Sequence, residues 1–589
     1  MACMSISSVS QSWRVDVCNI GVPRRSGFSQ WIKTSSSSSS RTTSWHCMCM
    51  TLPSPPTSAS TSSATLGDTH SLLSSLRQFT ELPDKGTKTE ELLERSEEAL
   101  ESSSNPTSRM KLIDTVQRLG IAYHFEEEIN SLLQSFLDGH ADADEDLFTT
   151  ALRFRLLRHN GYHISADVFQ KFVDKNGKFK ESLREDTWGM LSLYEASYLG
   201  AKGEDILSQA MEFTETHLKQ SIPLMPPQLG RQVQQALELP RHLRMERLEA
   251  RRFIEEYTRE SDHSSALLEL AKLDYNQVQL LHQSELNEIS RWWKQLGLVD
   301  NLGFGRDRPL ECFLWTVGIL PEPKYSGCRI ELTKTIAILL VLDDIFDSFG
   351  TLDELVPFTD AIRRWDLSAM EQLPGYMKIC YMALYNTTNE IGYKILKEHG
   401  WSVVPYLKRT WIDMIEGFQA EANWYNSGYV PGLEEYIENG VTTAGTYMAL
   451  VHLFFLIGQG VTEETIRMLE PYPRSFSCSG RILRLWDDLG TASEEQERGD
   501  IVSSIDLFMR EKNLSCQGEG RKYVKQIIYS LWKELNGELM ASKGMPLPLI
   551  KAAFNMSRTS QVIYQHGDDN RFPSVDECVQ SLFFTPIGL

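Results

Sequence analysis

The sequence offers little with which to pair its thiols. Its ten cysteines show no CxxC spacing, and Cys3, Cys18, Cys47 and Cys49 crowd near the N-terminus. Cys312, Cys328, Cys380, Cys478, Cys516 and Cys578 are scattered. This excludes a disulfide framework or a zinc cluster, and leaves buried free thiols in a reducing compartment as the expectation. Long apolar runs are also missing: none reaches the roughly 20 residues that span a bilayer. The longest, residues 448–457, is interrupted by His452 and stops at Gly458, so it reads as a core helix. No basic domain or RNA-binding motif appears, and the net charge is −20, which argues against a nucleic-acid partner. Period-two strand patterns are scarce, so the chain reads as all-α.

The 589 residues that are present suffice for two or more domains with large cores. Residues 1–60 stand apart. They hold Arg14, Arg24, Arg25, Lys33 and Arg41 against one acid, Asp16, with an unbroken serine run at 35–40. A basic, serine-rich, acid-poor leader without an apolar core is the composition of an organelle transit peptide. Beyond it come helical patterns, which we divide into an N-terminal helical domain at 61–294 and a C-terminal domain at 295–589. Polar residues 102–108 separate two helical patterns, Gly200 ends another, and Pro223, Pro226 and Pro227 mark a loop.

The most informative stretch is Asp343-Asp344-Ile345-Phe346-Asp347. It follows the apolar run 335–342, which reads as a buried helix. At 100° per residue, Asp343 and Asp347 share a face and Asp344 lies to the side. Carboxylates beside a buried face cost several kcal/mol unless neutralised. Oxygen ligands at i and i+4 suit a hard divalent cation, most simply magnesium. A second column follows in residues 484–495. Asp487, Thr491 and Glu495 fall at i, i+4 and i+8, within a stripe about 80° wide. Gly490 inside that helix costs about 1 kcal/mol relative to alanine, which suggests a close approach to something.

Together DDxxD and the DDxxTxxxE-like column resemble the class I terpene synthases of plants. The resemblance runs from about Leu66 to the C-terminus. Matching stretches include residues 203–207, 290–294, 306–308 and 434–436. It implies two all-α domains, the second a class I isoprenoid synthase fold and the first a helical barrel-like scaffold. It also implies metal ligation by Asp343, Asp347, Asp487, Thr491 and Glu495, with three Mg²⁺ ions, or Mn²⁺. Arg306, Arg308 and Arg484 are assigned to diphosphate capture, with Arg498 in support, since relatives carry a lysine where this chain has Ser503. Trp315, Tyr447 and Tyr564 are implied to line a pocket in which aromatic faces stabilise a carbocation. Residues 442–446 resemble a broken helix beside the pocket, and residues 564–569 resemble a closing loop. Acidic residues 142–146 sit where related cyclases carry DxDD, yet here they read as a helix N-terminus.

The place of the RRx8W motif of many cyclising monoterpene synthases, residues 64–76, has no tandem arginine. That loss resembles the clade making acyclic alcohols, chiefly linalool and nerolidol. The implied reaction is geranyl diphosphate plus water to linalool, the S enantiomer favoured, in the plastid stroma of a monomeric enzyme. Farnesyl diphosphate would give (E)-nerolidol, either as a side activity or as the main role. The alternatives are a cyclising monoterpene synthase, a prenyl-elongating transferase, which normally shows two DDxxD motifs, and a helical scaffold without activity.

Overall fold

A computed structural model describes residues 86–589 apart from 103–104, 139–144, 262, 305, 499–501 and 542–543; the side chains at 86–87, 99–102 and 493–498 also lie outside the description. The transit peptide, the RRx8W position and Asp142 to Asp144 therefore fall outside it. Among the described residues the chain is helical throughout, with a lone bridge between Val173 and Phe179.

The N-terminal domain packs short helices around its own core. Its helix α1 (Leu147–His159) is capped by Asp146, whose carboxylate accepts from Thr149 N at 2.7 Å. Glu145 accepts from Arg153 and Thr150 at 3.1 and 3.0 Å. The described end of the acidic cluster thus serves a helix terminus, where acids complement the dipole.

Helix α2 (Ser265–Leu296) has 32 residues and spans about 48 Å at 1.5 Å per residue. Its first half, through Leu270 and Tyr275, belongs to the N-terminal core; its second half, through Leu286, Ile289 and Trp293, belongs to the C-terminal core. It stops at Gly297, whose φ of 65° is the left-handed conformation that ends helices.

The C-terminal domain adds α3 (Pro309–Ile319), α4 (Ser326–Asp344), α5 (Val404–Ser427), α6 (Leu433–Thr443), α7 (Thr446–Ile457), α8 (Arg474–Arg498), α9 (Gln517–Ala541) and α10 (Leu547–Asp568). Arg329 of α4, fully buried, holds Glu285 of α2 through Nε at 2.9 Å and the carbonyls of Leu320 and Glu322 at 2.9 and 2.6 Å. The chain end returns to α2, where Gln283 donates to Phe583 O at 2.7 Å. The segment Leu433–Ile457 is long and apolar enough to cross a membrane, but it is broken at Gly445 (φ 73°) and 78% of its most apolar window is buried inside the fold. All six described cysteines are free; Cys516 is exposed and Cys328 half-buried, while the other four are buried as expected.

Candidate metal and diphosphate site

Residues 336–342 on α4 are all buried, and they carry Asp343 into the interior at 0% exposure. The helix then loosens into a π-helical turn, Ile345–Phe349, which holds Asp347. Such a turn often marks a functional site. Burial pushes Asp343 up to about 8, although Arg306 opposes the shift. Asp344 is also raised by burial against the pull of Arg306.

Arg306 explains that pull. Its Nη2 pairs with Asp343, its Nε with Asp344 at 2.6 Å, and its backbone N–H donates to Asp344 at 3.0 Å. Asp344, placed off to the side by helical spacing, is therefore the anchor of the arginine loop. Phe304, just before that loop, stacks on Phe349, the last residue of the π turn, at 3.9 Å between centroids. Arg308 begins α3, where its charge acts on Asp344 and on Glu311.

The second column lies on α8. Arg484, Asp487, Asp488 and Thr491 are all essentially buried. Arg484 pairs with Asp487 one turn on, and its Nε lies 3.2 Å from Asp488. Asp488 also accepts from Tyr436 Oη at 2.8 Å and from Ser504 N at 2.9 Å. Thr491 donates to Asp487 O at 2.8 Å. The side chains of Glu495 and Arg498 lie outside the described residues. Ser503, in place of the lysine of relatives, caps the next helix by accepting from Asp506 N at 3.2 Å.

Glu421 links the two halves, and nothing in its local sequence marked it. It extends from α5 and accepts from Asn439 at 2.7 Å and Thr443 at 3.0 Å. Burial raises it to about 7, with Arg484 opposing. Its charge is also felt by Asp343. The run Arg306–Asp343, Glu421, Arg484–Asp487 thus crosses from one motif to the other.

The residues fit divalent cations. One oxygen of Asp343 and one of Asp487, both Oδ1, are buried without a hydrogen-bond partner, and such atoms are costly unless a cation meets them. Among the described residues no three His, Cys, Asp or Glu side chains converge.

The aromatic expectations divide. Trp315 of α3 and Tyr564 of α10 meet at 6.2 Å between ring centroids, and both are buried. Tyr447 does not join them: it stacks on Tyr472 at 4.2 Å. Residues 564–568 are not a loop but the last turn of α10, because Asp568 is held by Arg521 and Lys525, each at 2.7 Å. The break at 442–446 is present between α6 and α7. Gly490 meets its expected close neighbour. A Cβ there would lie 2.7 Å from Tyr564 O, and one on Gly567 would lie 2.3 Å from Gly490 O, so α8 and α10 cross backbone to backbone.

Comparison with known proteins agrees with this geometry. Residues 63–237 match the family model "Terpene synthase, N-terminal domain", and residues 294–534 match "Terpene synthase family, metal binding domain". A chloroplastic monoterpene synthase of Cananga odorata is 66% identical, covering 99% of this chain and 98% of that protein. Two chloroplastic enzymes of Ocimum basilicum, a geraniol synthase and an R-linalool synthase, are 61% and 58% identical, covering 84% and 85% of this chain and 87% of each of their own. Isoprene synthase of grey poplar, solved with three Mg²⁺ ions and dimethylallyl-S-thiolodiphosphate, superposes with a TM-score of 0.80 at 40% identity, covering 85% of this chain and 97% of that one. The chain belongs to the plant terpene synthases, among their monoterpene synthases, a family of metal-dependent lyases acting on prenyl diphosphates.

Proposed function

We propose that this enzyme makes an acyclic monoterpene alcohol from geranyl diphosphate and water. The observation that carries the reading is the pair of buried carboxylate columns with an arginine on each, bridged by Glu421. Asp343, Asp347, Asp487, Thr491 and Glu495 would hold Mg²⁺. Bound there, magnesium neutralises the diphosphate and makes it a better leaving group. Arg306, Arg308 and Arg484 orient the same oxygens, with Arg498 in support. The C1–O bond breaks, and diphosphate leaves with the electron pair. The allylic cation, shared between C1 and C3, faces Trp315 and Tyr564, whose rings stabilise it by about 2 kcal/mol when desolvated. Exclusion of bulk water limits the cation to one water molecule. Its oxygen bonds to carbon, and its proton passes to a diphosphate oxygen.

Attack at C3, the tertiary end, gives linalool, and this is the first reading. The missing RRx8W supports an uncyclised product. Attack at C1 gives geraniol, a second reading favoured by the geraniol synthase relative at 61% identity. The expected S configuration stands against a 58% relative that is an R-linalool synthase. Farnesyl diphosphate would give (E)-nerolidol by the same attack. The leader and the chloroplastic relatives support action in the plastid stroma, and we propose a monomer.

Chiral gas chromatography of products from geranyl and farnesyl diphosphate, run in ¹⁸O-labelled water, tests this. Labelled linalool or geraniol is expected. Limonene, pinene or another ring compound as the main product would overturn the acyclic reading.

A further inference from the structure

A cavity of about 380 Å³ opens on the seam between the two domains, away from both aspartate motifs. That size is within the range of small-molecule sites, roughly 300–1,000 Å³. Eight lysines and arginines line it against four glutamates, in a chain whose net charge is −20. Part of that excess is already neutralised. Arg155 and Arg241 share Asp114, and Arg118 and Arg244 share Glu249.

A second group of cations is not matched. Arg558 of α10 is 5% exposed. Its Nε donates to His242 O at 2.7 Å and its Nη1 to Asn555 Oδ1 at 2.6 Å. Among the described residues its one carboxylate neighbour within 4 Å is Glu246, half exposed and 3.9 Å away. Lys551 lies two turns earlier on the same face of α10 and also lines the cavity. His242 and His159 line the cavity beside them. Asn536 donates from Nδ2 to the carbonyls of Tyr198 and Gly200 at 2.9 and 3.0 Å, so its Oδ1 faces His242 Nε2 at 2.9 Å. That fixes the proton on Nε2 and leaves Nδ1 buried with no hydrogen-bond partner. Burial and the neighbouring Arg558 and Lys551 hold His159 well below the usual histidine range. Burial likewise lowers Arg558. Arg558 and Lys551 face one space with too little negative charge between them, and burial keeps His242 and His159 neutral beside them.

We propose that this interdomain cavity is a second anion site, separate from the metal centre, that takes a diphosphate group. A diphosphate supplies several acceptor oxygens and more than one negative charge, which suits a guanidinium and an ammonium better than a single carboxylate would, and a protonated oxygen of it can donate to His242 Nδ1. The cavity is also lined by the apolar side chains of Leu320, Leu539, Leu547 and Phe554, the last two on α10 beside Lys551 and Arg558. It has room for the start of a prenyl tail, so the group can come from inorganic diphosphate or from a prenyl diphosphate. The site connects to the metal centre through two rods. Helix α10 carries both Arg558 and Tyr564, and α3 carries Trp315 and ends at the cavity with Ile319.

The test is calorimetric titration of residues 61–589, the chain with its leader removed, in EDTA, where no metal assists the catalytic site. Inorganic diphosphate and geranyl S-thiolodiphosphate are the two probes. One saturable site is expected, weakened by about 10-fold in Lys551→Gln through loss of a charge-assisted hydrogen bond. Lys551 is half-buried, so this variant should fold, and thermal melting checks that it does. Its kcat in magnesium should stay unchanged. Arg308→Gln, which alters the catalytic arginine loop, should leave the EDTA binding unchanged. Tighter binding of the thiolodiphosphate points to a prenyl diphosphate source, and equal binding to free diphosphate. No saturable binding, or binding lost in Arg308→Gln and retained in Lys551→Gln, overturns the proposal. Neither result depends on which alcohol the enzyme makes.

Discussion

Two pairs of buried acids have opposite characters. In the N-terminal domain, burial pushes Asp114 up, but Arg155, Arg241 and Arg118 outweigh it and hold it at about 2. Glu249 is treated the same way by Arg244, Arg252 and Arg118 and lies well below the carboxylate range. In the C-terminal domain, burial wins. Asp343 rises to about 8 and Glu421 to about 7, each with an arginine nearby that does not offset it. The first pair is complete, with its countercharge built into the chain. The second is short of positive charge. Acids that fold leaves under-neutralised are where a cation and an anionic substrate belong, and acids that are over-neutralised hold structure.

The largest test of this contrast is at Asp343. Asp343→Asn should lower kcat by about 10³-fold or more, since charge stabilisation worth several kcal/mol goes with the metal ligand. In EDTA the same variant should melt no lower than the parent, because a costly buried charge is gone. A lower melting temperature in EDTA would break the contrast.

The reverse holds for Asp114→Asn. It strands two buried guanidiniums and should destabilise the protein by about 3–5 kcal/mol in denaturant titration. Its kcat at 20 °C should stay within about two-fold of the parent, because surface-remote packing changes leave transition-state contacts intact.

Glu421→Gln keeps the shape and removes the charge that faces Arg484. A loss of about 10- to 100-fold in kcat is expected, the usual scale for a residue that orients metal ligands. Magnesium affinity, read from the metal dependence of rate, should fall with it. An unchanged rate would demote Glu421 to packing.

The smallest effect is the pH dependence of stability without metal. Asp343 and Glu421 bind protons more tightly folded than unfolded, from ordinary values of 3.8 and 4.5. Their cost is absent below about pH 4 and complete above about pH 8. Asp114 runs the other way: its contribution is whole above its unfolded value of 3.8 and is lost as pH falls towards 2. Melting temperature in EDTA should therefore decline from pH 5 to pH 9, and Asp343→Asn should flatten that decline. Added magnesium should raise it most at the alkaline end.

Much of the site was legible in one dimension because helices repeat. The spacing of Asp343, Asp487 and Thr491 reports a local rule; the apolar run ahead of DDxxD is the buried helix it reads as, and the glycine at 490 meets a close neighbour. What depends on tertiary partners was not legible. Asp344 looked idle by helical angle, yet it anchors the Arg306 backbone. Glu421 has no motif; α5 brings it against α6, where Asn439 and Thr443 hold it. Tyr447 has the residue type of a pocket wall but faces Tyr472 instead. Residues 564–568 contain Gly567 and two acids, which read as a loop, but the pairing of Asp568 with Arg521 and Lys525 extends the helix.

Helix α2 places both cores on one girder. A substitution that loosens the scaffold half is therefore felt as mechanical play at the catalytic half, through Glu285 and Arg329. The N-terminal domain cannot be shed by a simple deletion, because a cut just ahead of Ser265 removes the core that covers the first half of α2.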